Sequence, residues 1–212
     1  MDSPKWVERA TPVDPVTLEV GFAISDTFYY GPENDITPEQ WQTLREPLYQ
    51  PRVEIFRHYV LSRALDLSAT ELITYYQDVL RLIARHGKDL RQKSQYFWMR
   101  PLIFADGSFD ITLSWHDTWE AATSVLDSLA SPGDGILYDD LDQGWDFKAY
   151  AERDRLFLRE SDPDSGTEYV VVSTNRSAVA RQAAVLRERV DRVLKNLTAA
   201  LGQNFWSRNW QR

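Results

Sequence analysis

The hydrophobic pattern changes period several times along the chain, and each change marks an element. Val16, Leu18, Val20, Phe22 and Ile24 alternate with Thr17, Glu19, Gly21 and Ala23, the period of two expected of a strand with one buried face. Thr37-Pro38-Glu39-Gln40 is a capping box with proline at the first helical position, and it opens a short helix carrying Trp41, Leu44 and Leu48. Pro51 is read as the start of another helix, with Val53, Phe56, Tyr59 and Val60 along one side. Ser68-Ala69-Thr70-Glu71 forms a second capping box. The helix after it places Leu72, Tyr75, Tyr76, Val79, Leu82 and Ile83 at helical spacing and ends at His86-Gly87, with glycine in its usual C-terminal place.

From about residue 96 the period returns to two. Phe97 to Phe104 reads as a strand, Asp106-Gly107 as a hairpin turn, and Phe109, Ile111, Leu113 and Trp115 as the returning apolar face. Asp117-Thr118-Trp119-Glu120 caps a helix that buries Trp119, Ala122, Val125, Leu126 and Leu129 and stops at Ser131-Pro132-Gly133. Residues 134–144 read as an acidic loop with a short strand at Ile136 to Tyr138. Trp145, Phe147, Ala149 and Ala151 alternate as a strand, Arg155 to Glu160 returns beside it, and Tyr169 to Thr174 follows the turn Pro163-Asp164-Ser165-Gly166. The last long helix, about 176–201, carries the stripe Val179, Ala183, Leu186, Val190, Val193, Leu197, Leu201 in steps of four and three that alternate as far as Leu197.

These elements predict an α+β fold: an antiparallel sheet of about five to six strands with helices packed on it. Residues 37–92 are expected as a helical insertion after the first strand. One domain over 1–212 is expected, because strand 16–24 needs neighbours and finds candidates only beyond residue 95. Residues 1–15, with three prolines, read as a loose N-terminal arm. The tail 203–212, with Phe205, Trp206 and Trp210, either folds back on the core or presents an apolar patch for self-assembly.

Composition narrows the function classes. With 43% hydrophobic residues and eight Trp, the chain of 212 residues has the material for a core. The net charge of −8 argues against nucleic acid as a partner and against docking on an anionic membrane. The chain has no cysteine, which excludes disulfides and thiolate metal sites and fits a reducing cytoplasm. The N-terminus lacks the apolar stretch of a secretory signal, and no run reaches the length of a membrane span.

Charge is distributed unevenly. From Pro101 to Phe147 the chain carries ten carboxylates and no Lys or Arg, whereas from Arg176 to Arg212 eight Lys/Arg face only Glu188 and Asp191. Such a field steers charged partners. The calcium-loop pattern fails at Asp140-Leu141-Asp142-Gln143-Gly144 and at Asp162-Pro163-Asp164-Ser165-Gly166, so no metal site is expected. No GxGxxG or GxxxxGK[ST] cradle occurs, and no cofactor is expected. Asp134, Tyr138, Asp139, Asp140, Asp142 and Trp145 combine steering charge with aromatic anchors, the composition of many binding hot spots. His116 with Asp117 is the best general-base candidate. No nucleophile elbow accompanies the pair, so a pocket beside them defines the competing class, an enzyme or small-ligand protein.

One segment adds a resemblance. Gly144-Trp145-Asp146-Phe147, the hairpin Arg155-Leu156-Phe157-Leu158-Arg159-Glu160, a Val-rich strand and a long helix ending Leu201-Gly202-Gln203-Asn204-Phe205-Trp206 together resemble the C-terminal parts of small bacterial immunity proteins. Those belong to polymorphic-toxin and contact-dependent competition systems. The resemblance implies a cytoplasmic α+β protein that covers the active site of a toxin and performs no chemistry itself. The expected function is therefore a non-enzymatic acidic module for a basic protein partner. An enzyme or ligand binder near His116/Asp117 and a self-assembling structural component stand as alternatives.

Overall fold

A computed structural model describes residues 3–32, 37–65, 69–142 and 144–211. The strands are β1 (Thr11–Pro12), β2 (Thr17–Ala23), β3 (Thr27–Tyr29), β4 (Arg45–Pro47), β5 (Ile55–Phe56), β6 (Tyr59–Leu61), β7 (Met99–Ala105), β8 (Phe109–Thr112), β9 (Gly135–Asp142), β10 (Trp145–Glu152), β11 (Arg155–Asp162) and β12 (Thr167–Asn175). The α-helices are α1 (Pro38–Thr43), α2 (Thr70–Arg85), α3 (Trp119–Leu129), α4 (Arg176–Leu201) and α5 (Arg208–Gln211). The class is α+β. One sheet has the order β1-β12-β11-β10-β9, a second β5-β6-β2-β7-β8, and β3 pairs with β4. The chain divides into two compact units: Met1–Glu19, Pro101–His116 and Ala121–Glu188 form the first, and Val20–Arg100, Asp117–Glu120 and Arg189–Arg212 the second.

In the first unit the β9–β12 meander is antiparallel, and β1 adds to β12 in parallel through Thr11↔Val172 and Pro12↔Ser173. Phe147, Ala149, Ala151, Leu156 and Leu158 are all buried; Ala149 lies opposite Leu158 and Ala151 opposite Leu156, and Phe147 stands two residues before Ala149, so the five share a face. The N-terminal arm is not loose, which corrects the expectation drawn from its prolines. A 3-10 turn at Lys5–Arg9 buries Trp6 and Val7 against Tyr150, Phe157 and Val171 on the other face of the sheet. The arm docks because it supplies apolar cover that a sheet open on one side would lack.

Asp14 anchors that arm. It accepts hydrogen bonds from the Thr174 hydroxyl at 2.7 Å, the Asn175 N–H at 2.8 Å and Arg155 at 2.9 Å. Burial pushes its carboxyl up, but the bonds from Thr174, Asn175 and Arg155 outweigh that and hold it below the usual aspartate range. A group with a depressed folded pKa stabilises above its unfolded pKa, and the gain is lost as pH falls through the folded value. Asp14→Ala is therefore expected to cost about 1 kcal/mol at neutral pH. In urea melts across pH, the deficit should shrink below about pH 4.

In the second unit β2 pairs with β6 through Gly21↔Leu61, Phe22↔Val60 and Ala23↔Tyr59. The alternation in β2 predicts one buried face, yet Leu18 to Phe22 are all buried, Glu19 among them with 1% exposure. β2 lies inside its sheet, between β6 and β7, and an inner strand can be packed on both faces, so alternation alone does not mark which of its positions are buried. The capping box at Thr37 forms as expected, with the Thr37 hydroxyl accepting from Gln40 N–H and Gln40 Oε1 accepting from Thr37 N–H. The helix expected from Pro51 is absent; Ile55↔Val60 and Phe56↔Tyr59 pair as a hairpin instead. Helix α2 buries all six of its expected apolar residues, and Gly87 follows it at φ +59°. Ser68 of the second capping box lies outside the described residues. Phe205, Trp206 and Trp210 are buried, so the aromatic tail folds back on the core of its unit.

Candidate functional site

The acidic stretch read as a loop is mostly strand. β9 runs eight residues and forms one edge of the five-stranded sheet. A β-bulge between the pairs Ala149↔Tyr138 and Tyr150↔Ile136 interrupts the alternation, which is why the sequence signals only a short strand there. Register assigns the faces. Tyr138, Asp140 and Asp142 lie opposite Ala149, Phe147 and Trp145, whereas Ile136, Asp139 and Leu141 lie opposite Tyr150, Lys148 and Asp146.

On the first face the aromatic rings form a chain. Trp145 stacks on Phe147 with centroids 6.0 Å apart, Phe147 lies 6.0 Å from Tyr138, and Tyr138 lies 5.9 Å from His116. Trp145 Nε1 donates to Glu160 at 2.8 Å. His116 Nε2 and the Tyr138 hydroxyl are hydrogen-bonded at 2.5 Å, and Asp140 lies 3.6 Å from the same nitrogen. Burial, and then the Asp140 carboxylate, pushes the Tyr138 hydroxyl well above the usual tyrosine range. At neutral pH Tyr138 is thus a hydrogen-bond donor and not a base.

On the second face Ile136 and Leu141 are 59% and 65% exposed, and Asp139 pairs with Lys148 at 2.7 Å. Asp146 is buried, paired with Arg159 and lying 3.5 Å from Lys148. Asp134 stands apart from the row: it holds Arg176, the first residue of α4, at 2.8 Å and accepts from Arg153 N–H. Asp127 pairs with Arg187 of α4 in the same way. Part of the charge asymmetry is therefore spent inside the first unit, through partners too distant in sequence to be read from it. Five of the six residues singled out in the sequence, Tyr138, Asp139, Asp140, Asp142 and Trp145, do meet on the β9–β10 hairpin. Among the described residues Asp142 has no ion-pair partner. The sequence reading missed Ile136 and Leu141 as surface residues, although their place in an otherwise acidic strand was the available signal.

His116 and Asp117, beside which a pocket is expected, are each engaged with other side chains. His116 is engaged with Tyr138 and Asp140, and Asp117 pairs with Arg100 at 2.7 Å. Trp115, expected on the apolar face of the returning strand, is 51% exposed at φ +50°, beyond the end of β8. A cavity of about 320 Å³ opens elsewhere, in the second unit, lined by Ile24, Ser25, Asp26, Gln50, Ile55, Arg57 and His58. Among the described residues no group of three or more His, Asp or Glu could hold a metal, and no helix is long and apolar enough to cross a membrane. No family model, curated protein or solved structure matches the chain.

Proposed function

We propose that this chain is a non-enzymatic protein-binding module whose β9–β10 edge captures a basic protein partner. The observation that supports this most is β9 itself. It is an edge strand of eight residues without proline or lysine, bearing three aspartates and the exposed Ile136 and Leu141. Edge strands with free backbone groups and apolar side chains are templates for pairing unless something blunts them. Here the aspartates make two copies of the edge repel each other, while a basic surface is attracted and its register fixed. Trp145 and Tyr138 supply anchors of limited flexibility within the same row.

The resemblance of residues 144–206 to immunity proteins extends the reading: the partner is a toxin domain and the chain its inhibitor. A toxin that degrades nucleic acid must be basic to hold phosphate, and an acidic strand laid over its cleft competes for the same groups. The burial of Phe205, Trp206 and Trp210 supports this reading over self-assembly through the tail. The test is capture of a basic protein by the tagged chain at low salt. Binding that fades as ionic strength rises is expected; capture that is insensitive to salt would count against an electrostatic edge.

A further inference from the structure

We propose that the cavity between Ile24 and His58 in the second unit binds a small zwitterion carrying a carboxylate and an ammonium group, of the size of a free aliphatic α-amino acid. The site is separate from the β9–β10 edge and does not rest on its function. Its volume of about 320 Å³ is at the small end of ligand pockets. Its lining residues include Arg57, whose guanidinium also lies 5.9 Å from the Phe56 ring, Asp26, and the aliphatic Ile24 and Ile55. Arg57 would take the carboxylate, a fork geometry that guanidinium matches well. Asp26 would take the ammonium, and the isoleucines the apolar body.

Five of the seven lining residues, Asp26, Gln50, Ile55, Arg57 and His58, are exposed, and two features fix the backbone that carries them. Phe56 pairs with Tyr59, so Arg57 and His58 are the two residues of a tight hairpin turn, and Arg57 adopts φ +57°. Such a position in a two-residue turn suits glycine or asparagine. A long cation there carries a conformational cost that glycine would not, the kind of outlier that points to use of the side chain. Arg153 has a similar backbone at φ +54°, but its own amide and carbonyl bond to Asp134 and Arg176, which ties that turn to α4.

The second feature is the fixed frame around the cavity. The His58 carbonyl accepts from Ile24 N–H at 2.9 Å, Ser25 N–H donates to the Tyr75 hydroxyl at 2.9 Å, and Gln50 Nε2 donates to the Ser25 and Leu48 carbonyls. A pre-set wall lowers the ordering cost of binding. Burial, then the Arg100 and Arg57 guanidiniums, holds the His58 imidazole below its usual range. It is neutral at pH 7, leaving one positive and one negative group in the lining.

Titration calorimetry of the whole chain with L-leucine, isocaproate and isoamylamine separates the contributions. L-leucine should bind, and the two half-ligands, each lacking one charged group, should bind at least about 10-fold more weakly. Arg57→Gly should lose the L-leucine signal while its melting temperature stays level or rises, because glycine suits the turn. Should that variant fail to fold, Asp26→Asn, at an exposed position, is expected to show the same loss. Absence of L-leucine binding, equal binding of all three compounds, or a folded variant that binds as tightly as the natural chain would overturn the proposal.

Discussion

Trp206→Ala is expected to destabilise the second unit by about 3–5 kcal/mol, read as a fall in the urea midpoint with an unchanged slope. Trp206 is fully buried. Its ring meets Phe22 at 6.0 Å, Tyr76 at 5.1 Å and Phe97 at 6.4 Å between centroids, each edge-on. Edge-to-face pairs add to the area term of burial, and no small side chain refills a space shaped by three rings. Its carbonyl also accepts the Trp119 N–H at 2.8 Å, at the first residue of α3, so collapse around the vacancy would pull on a helix start. Phe205 stacks on Phe97 at 4.4 Å and Trp210 meets both. Truncation after Gly202 is accordingly expected to unfold the unit. A truncated chain that stayed folded and merely changed from oligomer to monomer would restore self-assembly as the role of the tail.

Arg159→Ala is the second large loss expected, about 3 kcal/mol. Its guanidinium pairs with the buried Asp146 and lies 5.7 Å from the Trp6 ring. The alanine variant strands most of a buried charge, with Lys148 at 3.5 Å and the Ser161 hydroxyl at 3.2 Å as remaining partners. Most of that cost belongs to the stranded carboxylate and not to the pair itself, so a double variant, Asp146→Leu with Arg159→Met, should recover much of the stability. Equal losses in the single and double variants would show that Arg159 acts through packing on Trp6 instead.

These losses also show what a sequence can convey. Helices α2 and α4 and the turn at Asp106-Gly107 were legible because their signals are local: periodicity, caps, and a glycine that here sits at φ +73°. The β5–β6 hairpin was not, since Val53, Phe56, Tyr59 and Val60 mimic helical spacing and the turn uses Arg57 where a glycine would have announced it. β9 was hidden because its bulge breaks the alternation and its aspartates resemble a solvated loop. The docking of the arm through Thr11↔Val172, and the pairs Asp134–Arg176 and Asp127–Arg187, join residues far apart in the chain. Composition records such charges but not their partners. The candidate surface was therefore legible in its residues and not in its geometry: five of six converge on one hairpin, while Asp134 is committed to α4.

The most direct measurement is the affinity of the captured basic partner for the natural chain and for the double variant Asp140→Asn, Asp142→Lys. Asparagine keeps a hydrogen-bonding group beside Tyr138 and His116, and Asp142 has no ion-pair partner among the described residues, so an unchanged circular dichroism spectrum is expected. If β9 is the docking edge, affinity should fall by about 100-fold or more at low salt, with the gap narrowing as salt is raised. A folded double variant that binds the partner as tightly as the natural chain would contradict it.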